Sequence, residues 1–171
     1  MNRRNFLLLG SALAAAACAP TTSQVSVGAD GRPLPKVYRI TPQDEGVVQF
    51  RLLDSVNTLR SAKGLSPLAY DARLNAAAAT HSRDMSVQNR PWHFGSDGSS
   101  PLTRVQRAGF SGRLLGELIS ETFETELETL SNWMAQGDTR AVIMDPAARS
   151  LGFAWFQEPG GKLWWTLLTG A

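Results

Sequence analysis

Few side chains in this chain could do acid–base or metal chemistry. There are two histidines, His81 and His93, and one cysteine, Cys18. His93 sits in Pro91-Trp92-His93-Phe94-Gly95-Ser96-Asp97-Gly98-Ser99-Ser100-Pro101, beside an acid and three serines. A hydrolase triad could be drawn from that stretch, but residues so close in sequence rarely orient one another, and no G-x-S-x-G elbow is present. Asp97-Gly98 suits a tight turn, and Ser100 before Pro101 suits a helix cap. Metal chemistry is the other candidate. Catalytic zinc takes three protein ligands and an open position, whereas the two histidines form no short ligand motif. Glu117, in Leu115-Gly116-Glu117-Leu118, is an acid framed by apolar residues and needs a partner. His93 and Glu117 are a candidate pair, and two ligands alone make a weak zinc site.

These residues need elements to hold them. Thr41-Pro42 opens a helix with Asp44 and Glu45 in its first turn. Val48, Leu52, Val56 and Leu59 form its apolar stripe, and Gly64 ends it. Asp71 caps a second helix with Leu74, Ala78, His81 and Met85 on one stripe, so His81 points inward as a core residue or as a ligand. A short third helix runs from Ser100-Pro101 to near Gly109. A fourth is expected over Thr122 to Ala135, with Leu127, Leu130 and Met134 inside and Glu121, Glu124, Glu126 and Glu128 in solvent. The tail changes period: LGFAWF and KLWWTLL flank Glu158-Pro159-Gly160-Gly161, a hairpin signal. Trp133, Trp155, Trp164 and Trp165 read as packing residues. Helices first and strands late predict an α+β fold with a small antiparallel sheet between helices.

At 171 residues the chain can hold one domain plus an N-terminal extension. Its net charge is +2, and Arg3 and Arg4 account for that excess. No basic stripe interleaved with aromatics appears, so a nucleic-acid partner is excluded. Residues 1–18 read as an export signal: Arg3-Arg4-Asn5-Phe6-Leu7 resembles a twin-arginine address, and an Ala-rich run leads to Cys18. Cys18 is read as the acylated N-terminus of a bacterial lipoprotein, tied to the membrane and facing the periplasm; the alternative is ordinary signal cleavage and secretion. A lone cysteine allows no internal disulfide. Residues 19–40, polar and rich in Gly and Pro, read as a flexible tether before a domain over 41–171.

The ordered pieces VNTLR, KGLSPLAYDARLNAAA, HSRDM, H-x-GSDGSSPLTRVQRAGF, GEL, NWM, GFAW and WWTLL resemble the CAP superfamily, or SCP domain, in its single-domain bacterial branch. The resemblance implies an α-β-α sandwich around a three-stranded antiparallel sheet. It also implies a shallow cavity lined by two histidines and two acids that in some members holds a divalent metal. His93 matches the first cavity histidine, and Glu117 matches the acid of the family's Gly-Glu-Asn. Leu118 stands in place of the asparagine, Thr139 in place of the second histidine, and Gln136 near the second acid; His81 is the residue that could compensate. Half a tetrad implies weak zinc binding at most. The resulting expectation is an extracytoplasmic, non-enzymatic binding module for a lipid, cell-wall fragment or protein, with a metal-assisted hydrolase as the alternative.

Overall fold

Why the helices bury the faces they do follows from their stripes. The computed structural model describes residues 37–171; Arg3, Arg4, Cys18 and the tether through residue 36 lie outside the described residues. In α1 (Glu45–Ser61) Val48, Leu52 and Val56 are buried as their spacing predicts, whereas Leu59 is partly exposed. In α2 (Ala72–Gln88) Asp71 caps the helix by accepting from the Arg73 and Leu74 amides, and Leu74, Ala78, His81 and Met85 all face inward. The two-residue β1 (Ala69–Tyr70) links α1 to α2, and α3 (Pro101–Arg107) begins at the Ser100 cap.

The next segments differ from expectation. Leu114–Thr122 is a strand, β2, so Glu121 belongs to a sheet rather than to a helix face. Helix α4 (Glu126–Ala135) starts at Thr125, whose hydroxyl and Glu128 form a reciprocal capping box. Leu130 is buried as expected, whereas Leu127 is exposed and Trp133 turns inward in its place. Glu126 is buried, ion-paired to Arg51 at 2.7 Å and accepting a hydrogen bond from the Tyr38 hydroxyl at 2.8 Å. Burial and that carboxylate push the Tyr38 phenol up to about 12. Residues 37–40, expected to end the tether, dock on the domain instead: the Ile40 amide donates to Gln157, and the Gln157 amide group donates back to the Tyr38 carbonyl.

A short α5 (Gly137–Ile143) precedes β3 (Ser150–Gln157) and β4 (Leu163–Gly170), the expected hairpin. The sheet order is β1-β3-β4-β2: β2, β4 and β3 are antiparallel, and β1 adds two residues parallel to β3. One sheet face carries Phe153, Trp165, Leu167 and Leu118 against α1, α4 and α5. The other carries Ala154 and Leu168 against α2 and α3. Gly152 allows α2 onto that face, since a Cβ there would collide with the Leu74 backbone. Arg60, fully buried, ties the loops together through the carbonyls of Ser66, Ile143, Asp145 and Ala148.

Candidate functional site

Glu117 lies on β2, an edge strand paired only with β4, directly opposite Leu168. Its neighbour Gly116 faces Val142 of α5, so by strand alternation the carboxylate turns toward α2 and α3. There it is almost fully buried, with 2% of the side chain exposed. Oε2 accepts from the Arg104 guanidinium at 2.7 Å, and Oε1 accepts from His93 Nδ1 at 2.9 Å. His81 Nε2 stands 3.6 Å from the same Oε1 and donates to the Trp92 carbonyl at 2.9 Å. Arg104, itself buried, donates further to the carbonyls of Ser99 and His93, at 2.9 Å and 3.1 Å. One guanidinium thus holds both Glu117 and the loop that carries His93.

The charge pattern follows from burial. Glu117 and Arg104 neutralise one another where neither could stand alone. His81 is fully buried with Nδ1 unpartnered among the described residues, and its pKa is lowered. Burial is the main cause; Glu117 opposes it and the Arg104 charge reinforces it. His81 is therefore neutral, Nε2–H toward Trp92. With Nδ1 of His93 donating to Glu117, Nε2 of that half-exposed ring is left to solvent. Among the described residues no other hydrogen bond reaches the His93 ring, and no serine or threonine is poised on it as a nucleophile.

The other two predicted positions are engaged elsewhere. The Thr139 hydroxyl donates to the Trp133 carbonyl at 2.5 Å and contacts the Gln136 carbonyl at 3.3 Å, tying α4 to α5. Gln136 is the junction residue between those helices, and no hydrogen bond joins either side chain to His93 or Glu117. Within the loop, the Ser99 hydroxyl, Arg107 and the Ser99 amide, in that order, hold the Asp97 carboxyl well below the usual range. A cleft of about 480 Å³ opens between α2 and α3, with Ala76, Ala77, Thr80 and Ala108 among its walls; it reaches Arg104 but neither His93 nor Glu117.

A divalent metal does not fit this donor set. Glu117 has a guanidinium on one oxygen and an imidazole N–H on the other, and the described residues contain no group of three His, Cys, Asp or Glu at ligand spacing. Arg104 is the residue that reading by motif misses. Its signal is faint: with Val105 and Ala108 it falls on the inward stripe of α3, and a charge on such a stripe needs a buried partner.

The sequence profile of the cysteine-rich secretory protein family, CAP, matches residues 53–168. The chain belongs to the CAP family. Among solved structures, this CAP chain is similar to an extracellular SCP-domain protein from Bacillus anthracis, with TM-score 0.67 and 23% identity over 78% of this chain and 45% of that one. It is similar also to an outer surface protein from Borrelia burgdorferi, with TM-score 0.67 and 17% identity over 77% of this chain and 95% of that one. A cysteine-rich secretory protein from Staphylococcus aureus matches with TM-score 0.61 and 12% identity, covering 78% of this chain and 42% of its own. The CAP chain thus spans less than half of the Bacillus and Staphylococcus proteins, and these likenesses establish the fold. No curated protein matches it. Among the described residues, no helix is long and apolar enough to cross a membrane.

Proposed function

We propose that this chain is an exported lipoprotein, anchored through acylated Cys18, whose CAP domain is a non-enzymatic binding module for a lipid, cell-wall fragment or protein. The observation that carries the reading is the saturation of Glu117. An acid that would serve as metal ligand or general base is ion-paired to Arg104, so its charge is taken up by architecture. What the cluster presents outward is the His93 ring, oriented by a buried carboxylate and able to accept a hydrogen bond from a ligand through Nε2. Calorimetric titration of the protein with zinc tests this: no tight stoichiometric binding is expected. Tight binding would overturn the reading in favour of a metal-assisted hydrolase. Intact-mass measurement of protein extracted from membranes tests the anchor, with a diacyl or triacyl mass on Cys18 expected.

A further inference from the structure

We infer that the C-terminal end of α2, with the loop after it, is a docking surface for an anionic lipid bilayer. Four side chains define it. Arg83 lies on the outer side of α2 over the Phe156 ring, 4.8 Å from its centroid. Arg90 follows the helix end and lies over the Trp92 ring at 3.9 Å. Among the described residues neither guanidinium has a hydrogen-bond or ion-pair partner; each is held only by an aromatic face, which orders the cation without neutralising it. Val87, between them in sequence, is 77% exposed, and Phe94 is 48% exposed. The loop part of the group is held together: the Trp92 and Phe94 rings are 5.6 Å apart, and Gln88 accepts from Trp92 Nε1 and donates to the Phe94 carbonyl. Arg83 and Val87 lie one turn apart on one side of α2.

The occupant follows from charge and polarity together. The two cations rest on different rings, one on β3 and one in the loop, which suits an array of anions better than a single phosphate. Lys162 adds nothing to this field, because Glu121 and Glu158 flank it. Asp84, next to Arg83 in sequence, turns to Ser96 and Gln88. Unpaired arginines beside an amphipathic tryptophan, with an exposed valine and phenylalanine, match the bilayer boundary, where cations meet headgroups and apolar side chains sink below them. A soluble polyanion would engage the arginines but gains nothing from Val87 and Phe94.

The test uses the full chain as Cys18→Ala, which removes the acyl anchor, with Val87→Cys carrying an environment-sensitive fluorophore. Blue-shifted emission is expected on vesicles of equal parts phosphatidylglycerol and phosphatidylcholine, and not on phosphatidylcholine alone. Arg83→Gln with Arg90→Gln should weaken the response about twenty-five-fold, roughly fivefold per charge; the corresponding double Lys variant should retain it. The proposal is overturned by no shift, by an equal shift on neutral vesicles, by indifference to the Gln pair, or by binding to inorganic polyphosphate while acidic vesicles leave the probe unmoved. Since the probe sits on the domain and Cys18 is absent, failure here is separate from failure of the lipoprotein reading.

Discussion

The two faces of the sheet are built on different principles. Toward α1, α4 and α5 the interface is dry and aromatic: Phe153 and Trp165 stack at 5.2 Å, and Leu118, Leu151 and Leu167 fill the space around them. Toward α2 and α3 the layer is closely spaced: Ala77, Ala78, Ala154 and Gly152 let α2 approach the sheet beside Leu74, Phe110 and Leu168, with polar groups buried among them. Ser82 donates to Thr166 there, and Glu117, Arg104 and His81 sit beyond. The first face gains stability from area removed from water. The second allows close backbone approach and accepts buried charge, which favours defined geometry over raw stability. The candidate site lies on the face where small residues let a helix approach the sheet.

Substitutions can break that contrast. Trp165→Ala, on the dry face, should cost about 3–5 kcal/mol in urea unfolding, the usual range for a large aromatic lost from a core. Arg104→Met should cost about as much, 3–5 kcal/mol, because it strands Glu117. The same Arg104→Met combined with Glu117→Leu should recover most of that loss, since apolar groups can replace a buried pair. If the double variant is as unstable as the single one, the cluster contributes through shape rather than charge.

The contrast also has a pH signature. His81 has a folded pKa below its ordinary 6.5, so the unfolded chain takes up its proton first. The stability it protects is complete above about pH 6.5 and falls as pH drops below that value, by up to about 1.4 kcal/mol per pH unit. Urea midpoints from pH 7 to 5 should show this fall, and His81→Gln should flatten it, with Glu117, Arg104 and Asp84 facing the same ring. The smallest expected effect is at Ser82. Losing its bond to the buried Thr166 hydroxyl in Ser82→Ala should cost about 1–2 kcal/mol by the same measurement.

Much of this is legible in the residues. The α2 stripe from Leu74 to Met85, the Asp71 and Ser100 caps, and the β3–β4 hairpin depend on local periodicity and side-chain-to-backbone bonds. Strand β2 escapes a reading by alternation because LLGELISET does not alternate cleanly, its two acids falling on the polar face beside α2 and β4. The Thr125–Glu128 capping box is written in the sequence, three residues after Thr122, where acidic composition alone would start the helix. Glu126 reads as one more solvated acid; only Arg51 and Tyr38, far away in the chain, enclose it.

For the candidate site the division is sharper. Residue types alone singled out His93 and Glu117 as the candidate pair, because so few other such side chains exist and an acid among apolar neighbours must find a partner. Only the tertiary structure decided which partner. Arg104 and Glu117 are thirteen residues apart, on α3 and β2, two elements that meet only in the folded chain. A guanidinium pairs with whichever carboxylate packing brings to it, and packing is a property of the whole chain rather than of any motif.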